Sequence, residues 1–221
     1  MNLLSKISKN RKILKPVIYG LSSTALSDEE KYFFSKNGPI GFIIFARNIE
    51  NKIQLKKLTD SLKEIMEGEI LILVDQEGGR VARLKEPHWK KYPAGQYFAD
   101  LYQENPKQSK EELFKNFQEI AIDLNEVGIN VNCAPVLDIL SEKTHQVIGD
   151  RAYGNNPDQV SILGKVRLLK RLTSKKHRLS STATLIKLVS RPKKASINPP
   201  SNGPIITPLC QPMVVHVAPL A

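Results

Sequence analysis

Ile70-Leu-Ile-Leu-Val-Asp-Gln-Glu-Gly-Gly-Arg-Val-Ala-Arg-Leu84 joins an apolar run to a polar turn. The run, residues 70–74, is short and built of Ile, Leu and Val. That composition fits a strand buried on both faces, as in a parallel sheet. It stops at Asp75, and two glycines follow that permit a positive φ and close backbone approach. A buried strand ending in a carboxylate, a Gly-Gly turn and two arginines is how α/β enzymes build a site at the carboxyl ends of their strands. On composition alone, the same residues also fit a capped, solvated loop.

Outward from this stretch the same alternation repeats. Residues 16–22 read as a first strand running into a small-residue loop. Ser27-Asp-Glu-Glu30 has the form of a capping box, and the helix it opens is expected to stop near Asn37-Gly38. Residues 39–45 form a second strand. Ile53, Leu55, Leu58, Leu62, Ile65 and Met66 recur at largely helical spacing, with Gly68 placed to end that helix. After the central stretch, residues 85–93 are expected to be irregular because Pro87 and Pro93 oppose a helix. Trp89 lies in this loop and is expected to pack it down. Helices are expected over 94–102 and 109–127, followed by a strand from Ile129. Strand–helix alternation with short connections predicts sequential parallel strands covered by helices.

Three segments carry a resemblance. Val74-Asp-Gln-Glu-Gly-Gly-Arg-Val-Ala-Arg-Leu84 resembles the signature loop of glycoside hydrolase family 3, in its β-N-acetylhexosaminidase branch. Asn132-Cys-Ala-Pro-Val-Leu-Asp138 is similar to that family's Asn-x-x-Pro-Val-Leu-Asp segment. Val147-Ile-Gly-Asp-Arg-Ala-Tyr-Gly154 is similar to its Ile-Gly-x-Arg loop. The three occur in family order within residues 16–165. The resemblance implies an α/β fold, a TIM-like (β/α) barrel present here as roughly its first half. It implies a sugar substrate bearing a terminal N-acetylglucosamine, which in bacteria of this branch is a muropeptide from recycled cell wall. Asp75, Arg83 and Arg151 would hold that sugar. Asp138 would bind substrate, or would cap or support the residues that do, and Arg80 would brace the Gly-Gly turn. No job is assigned to Glu77. Cys133 is expected to be a small buried hydrophobe. No cofactor and no metal are expected.

A sugar offers vicinal hydroxyls, which suit a carboxylate acceptor and the rigid donor fork of a guanidinium. Retaining hydrolysis also needs a nucleophile and an acid/base. The resemblance implies an Asp in a Ser-Asp-[Asp/Ala]-Leu-x-Met-like segment and a His after Lys-His-[Phe/Ile]-Pro-Gly-His-Gly. Neither segment appears after Lys165, so no catalytic residue is assigned. Lys176-His177 lacks the glycines and proline of that loop, and His177 and His216 are read as incidental.

Composition changes at the same place. Residues 159–221 hold 11 Lys and Arg, no Asp or Glu, no aromatic residue and 7 of the 14 prolines. They carry the whole net charge of +11. The expected division is therefore a partial barrel over 1–165 and a basic, Pro-rich tail over 166–221, disordered or translated out of frame. A half-barrel leaves an apolar sheet edge, so poor solubility or partial folding is expected. A monomer is expected if the chain folds.

The composition excludes other classes. No run of 18 apolar residues suggests a membrane span, and residues 1–16 lack the apolar core of a secretory signal. Two cysteines make no disulfide framework, so a cytoplasmic chain is the default. The basic tail would attract polyanions. Without interleaved aromatics, it carries no specific nucleic-acid signal. The competing readings are an inactive hydrolase fragment, a non-catalytic sugar-binding remnant and a weak polyanion binder.

Overall fold

The computed structural model describes residues 15–173 and 213–214, with side chains described for residues 15–166. The sequence expectations for the tail lie outside these residues, apart from helix α5 and a two-residue strand, given below.

Four parallel strands run in sequential order. They are β1 (Lys15–Gly20), β2 (Pro39–Ile44), β3 (Leu71–Val74) and β4 (Val131–Asn132). A fifth strand, β5 (Met213–Val214), pairs antiparallel with β1, giving the order β4-β3-β2-β1-β5. The helices between them are α1 (Asp28–Asn37), α2 (Lys52–Ile65), α3 (Gly95–Glu104) and α4 (Pro106–Glu126), and α5 (Pro157–Thr173) follows β4.

Three helices, α1, α2 and α4, begin at a side-chain cap. Ser27 caps α1 with the full reciprocal box: its Oγ accepts from Glu30 N–H at 3.1 Å, and Glu30 accepts from Ser27 N–H at 3.1 Å. Asn51 caps α2 by accepting from Gln54 N–H at 2.9 Å. The α2 exit differs from expectation. Glu67 takes the left-handed conformation (φ 53°), and Gly68 N–H closes onto Lys63 O at 2.9 Å. The turn therefore uses glycine one place later than the simplest cap would. Helix α4 starts at Pro106, three residues before the apolar pattern indicates. Proline at the first position costs no hydrogen bond, and Asn105 caps it by accepting from Gln108 N–H at 3.1 Å. The strand expected from Ile129 shortens to two residues.

Strand alternation sorts the core into two faces. Phe42 and Ile44 of β2 and Ile72 and Val74 of β3 join Phe34 of α1, Leu55, Leu58 and Leu62 of α2, and Leu113, Phe117, Ile120 and Leu124 of α4. Ile18, Ile43, Leu71, Leu73 and Val131 form a separate cluster that contains no helix residue. The helices therefore cover one face, as sequential crossovers all stepping the same way require. Trp89 and Tyr92 join the helix-side core, which settles the 85–93 loop against it. Trp89 is a packing residue, with its indole buried.

Gly41 marks the tightest point between strands. A Cβ there would lie 2.5 Å from Leu71 O and 2.7 Å from Leu71 Cβ. Both obstacles belong to the paired strand, so neither can swing aside cheaply. Gly41→Ala is expected to lower the thermal midpoint by about 3–10 °C. Differential scanning calorimetry reads this directly, and an unchanged midpoint would show that β2 and β3 do not meet so closely.

Candidate functional site

The β3 strand delivers Asp75 at its carboxyl end, and the loop that follows is held by buried amides. Asn132, at the end of β4, accepts from Gln76 N–H at 3.0 Å and donates to Gln76 O at 2.8 Å. The Gln76 side chain spans the loop. Its Oε1 accepts from Arg83 N–H at 2.9 Å and Leu84 N–H at 3.0 Å, and its Nε2 donates to Leu84 O at 3.1 Å. Gln76 and Asn132 are both buried. One side chain thus satisfies three backbone groups that a buried turn would otherwise strand.

The Gly-Gly turn sits against the 92–94 segment. Gly79 N–H donates to Tyr92 O at 2.8 Å. Gly78 (φ 101°) lies so close that a Cβ would meet Pro93 O at 2.0 Å. Both the conformation and the contact demand glycine.

Two arginine–carboxylate pairs stand on this frame. Arg83 Nη2 donates to Asp75 Oδ2 at 2.9 Å, with each side chain about a quarter exposed. Arg151, on the loop before α5, grips Glu77 with two bonds: Nε to Oε2 at 2.8 Å and Nη2 to Oε1 at 2.7 Å. The Glu77 side chain is 9% exposed. This hydrogen-bonded carboxylate, aided by the charges of Asp75 and Asp138, raises the Arg151 pKa above its already high ordinary value. Both Glu77 oxygens are committed, so the residue positions Arg151 and is not arranged to donate a proton. Asp75, Arg83 and Arg151 therefore share one neighbourhood.

The other expected residues fall differently. Arg80 does not brace the Gly-Gly turn, which the backbone contacts of Gly78 and Gly79 hold instead. Its guanidinium crosses to the loop before Arg151, pairing with Asp150 at 2.7 Å and donating to the carbonyls of Val147 and of Ile148, the latter at 3.3 Å. Three carbonyls and a carboxylate converge there, a better match for five N–H donors than a turn already closed by its own backbone. Asp138 is exposed, and its charge reaches Arg151 through space. Cys133 is half-buried, and its thiol faces Asp75.

Residues that the sequence reading passed over include Gln76, Asn132 as a brace, and the Glu77–Arg151 pair. A polar residue at a buried strand end was the available signal for Asn132. Nothing in sequence spacing linked Glu77 to a residue 74 positions away. Among the described residues, no group of three His, Cys, Asp or Glu side chains could hold a metal ion, and no helix is long and apolar enough to cross a membrane.

The architecture is that of an α/β domain carrying a polar, arginine-rich site at the carboxyl ends of parallel strands. Residues 12–177 match the family described as Glycosyl hydrolase family 3 N terminal domain, and the chain belongs to that family. A β-hexosaminidase of Alkalilimnicola ehrlichii is 36% identical over 153 residues, covering 69% of this chain and 43% of that relative. One from Thioalkalivibrio sulfidiphilus is 35% identical over 150 residues, covering 68% and 43%. The crystal structure of native NagZ from Neisseria gonorrhoeae superposes with a TM-score of 0.66 at 30% identity, covering 70% of this chain and 45% of that one. The same protein in complex with N-trifluoroacetyl-D-glucosamine gives the same TM-score and identity, covering 70% and 46%. The chain spans less than half the length of these relatives.

Two outcomes follow from the geometry. Gln76→Leu strands three backbone groups and is expected to cost about 2–5 kcal/mol. Urea unfolding measures this, and a loss under 1 kcal/mol would mean that water replaces the amide. Cys133 is the second case. Burial, reinforced by Asp75, pushes its thiol up to about 12. A thiol with a raised pKa is protonated throughout neutral pH, and only the thiolate is nucleophilic. In a Cys210→Ser background, iodoacetamide modification of Cys133 is expected to keep accelerating above pH 9. A plateau near the ordinary thiol range would contradict the environment described.

Proposed function

We propose that this chain is the sugar-holding half of a β-N-acetylhexosaminidase-type glycoside hydrolase, binding a terminal N-acetylglucosamine without cleaving it. The observation that supports this most strongly is the paired arrangement of Asp75 with Arg83 and Glu77 with Arg151 at the β3 end. The names of its relatives, β-hexosaminidases, agree with a hexosamine substrate. So does the N-trifluoroacetyl-D-glucosamine bound to the gonococcal protein.

Each residue has a role in this reading. Asp75 accepts from adjacent sugar hydroxyls through the lone pairs that Arg83 leaves open. Arg83 orients that carboxylate, and its remaining N–H groups are left to donate to the ring. Arg151, fixed by Glu77, supplies the opposing fork. Asp138 adds negative charge at the rim, and Arg80 fixes the loop that carries Arg151. The arrangement binds a polar ring in one orientation because its groups are ordered before the sugar arrives.

The reading extends to the whole domain. The four sequential parallel strands are taken as the first half of a TIM-like barrel. The expected boundary at 165 moves outward, since the family match runs to residue 177 and α5 to Thr173, and the basic segment of separate origin is taken to begin beyond it. The substrate class is a cell-wall muropeptide carrying N-acetylglucosamine, handled in the cytoplasm during peptidoglycan recycling. No cofactor takes part, and the chain acts as a monomer. Hydrolysis needs a carboxylate nucleophile and a histidine acid/base; residues 159–221 hold no Asp or Glu, so binding without turnover is expected of residues 1–221 taken by themselves.

Isothermal titration of the full chain with N-acetylglucosamine is expected to show saturable binding. Asp75→Asn, which removes the charge at constant shape, should weaken it by about tenfold or more. A 4-nitrophenyl N-acetylglucosaminide should release no nitrophenol. A folded protein without saturable binding would overturn the proposal. Nitrophenol release that survives removal of contaminating enzyme would overturn its non-catalytic part alone.

A further inference from the structure

The chain leaves β2 through Phe45 and a single 3₁₀ turn, Ala46–Asn48, and this corner is tied down from inside. Asn48 is fully buried. Its Oδ1 accepts from Phe45 N–H at 2.9 Å, and its Nδ2 donates to Leu21 O at 3.1 Å and to Ser23 O at 2.8 Å. Arg47 Nε donates to Leu21 O at 2.8 Å, and its guanidinium lies over the Phe45 ring, 4.6 Å from the ring centre. A Cβ on Gly20 would come within 3.1 Å of Phe45 Cε2 and 3.3 Å of Arg47 Nη2, so both groups lie against that glycine. Ring and guanidinium are held as a stack.

The strand register places this stack beside Asp75. Strands β2 and β3 run parallel with Ile44 opposite Val74, so the next residues along, Phe45 and Asp75, are neighbours across the pair. Val74 packs on the helix side and Leu73 on the other, and alternation turns Asp75 to the face of Leu73. Phe45 packs on that same face, against the cluster that holds Ile43 and Leu73, and so does Cys133. Val74 also lies opposite Asn132, which brings Cys133 to the other flank of Asp75, where the thiol faces the carboxylate. The row across the strand ends is therefore Phe45, Asp75, Cys133. Arg47 is exposed, forms no ion pair among the described residues, and its Nη groups make no hydrogen bond there.

We infer that Phe45 and Arg47 form a further wall of the sugar site, the ring packing on C–H groups of the bound pyranose and the Arg47 Nη groups donating to its oxygens. The inference rests on the sugar-binding reading of Asp75, Arg83 and Arg151, since Asp75 sets where the sugar lies. Neighbouring strands lie about 4.8 Å apart, close to the width of a pyranose ring, so a sugar gripped by Asp75 overlaps the next strand end. On the β4 flank it meets the small Cys133 side chain, and on the β2 flank an aromatic ring that is only half-buried. A pyranose carries C–H bonds on its faces and oxygens around its rim, and a ring with a guanidinium beside it matches both. Arg151 belongs to the loop after β4, so Arg47 supplies donors from the opposite flank of Asp75.

Two measurements with N-acetylglucosamine on the full chain test it. The first uses the unmodified chain, so it does not depend on a variant folding: nuclear Overhauser contacts between the Phe45 ring protons and the sugar C–H protons are expected. The second is calorimetry on Arg47→Gln, which removes the donor fork. Its affinity should fall about three- to tenfold with the thermal midpoint within a few degrees of the parent. Sugar bound with neither the ring contact nor the loss overturns the inference and leaves the Asp75 site standing. A loss of affinity without the ring contact means that the corner only braces the neighbouring strands, and this also overturns it. Ring contacts with unchanged Arg47→Gln affinity overturn the role of Arg47. Absence of any binding to the unmodified, folded chain overturns the underlying sugar-site reading, and this wall with it.

Discussion

The Gln76 amide is the constraint on which the site depends. A loop that leaves a buried strand and returns within ten residues must bury backbone N–H and C=O groups with no strand to receive them. Gln76 replaces the missing partner, with one carboxamide meeting three backbone groups at Arg83 and Leu84. Asn132 then fixes Gln76 itself by exchanging two bonds with its backbone. Asn130 does the same one step earlier, accepting from Ile72 N–H at 2.8 Å and donating to Ile70 O at 2.7 Å. The short β4 strand is thus reinforced by side chains, beside backbone bonds from Asn130 N–H to Ile72 O at 3.1 Å and from Cys133 N–H to Val74 O at 2.9 Å.

With that frame fixed, the charged residues become a set of ties between distant loops. Asp75 and Arg83 close the first loop on itself, while Glu77–Arg151 and Arg80–Asp150 join it to the loop before α5. The ties differ in weight. Arg80–Asp150 is nearly half exposed and contributes little by itself. Glu77–Arg151 is bidentate and mostly buried, so removing either partner leaves a charge with poor solvation. The second pair therefore sets where Arg151 stands, and the first limits how far its loop can move. Gly95 completes the junction: a Cβ there would meet Arg151 O at 2.3 Å, so the start of α3 abuts the same loop.

Much of this was legible in the chain. The apolar run of residues 70–74, the capping box at Ser27 and the amphipathic repeat of α2 each state their structure locally, and the strand order follows from short connections between them. Asp75 and Arg83 share one loop, so their pairing lay within reach of sequence reasoning. What stayed hidden depends on distance. Arg80 could be placed at the turn only by adjacency, and its true partners lie 66 to 70 residues away. Glu67 in the left-handed position and the early start of α4 at Pro106 reflect end effects that apolar periodicity does not encode.

This separation of local from distant has a functional consequence. On the reading proposed above for Asp75, Arg83 and Arg151, the groups that would hold a sugar come from three segments within residues 75–151, braced by bonds made inside that span. Groups that would break a glycosidic bond must sit on the far side of the sugar ring from one another, with room for the anomeric carbon between them. Glu77, with both oxygens committed to Arg151, is not free to serve in such a pair. Recognition can therefore be complete within the described residues while the chemistry requires further elements. Asp75, Arg83 and Arg151, the residues proposed above to hold the sugar, are each oriented by an ion-pair partner. Side chains fixed in this way present a preset array to a ligand, so little ordering is left to be done when one binds.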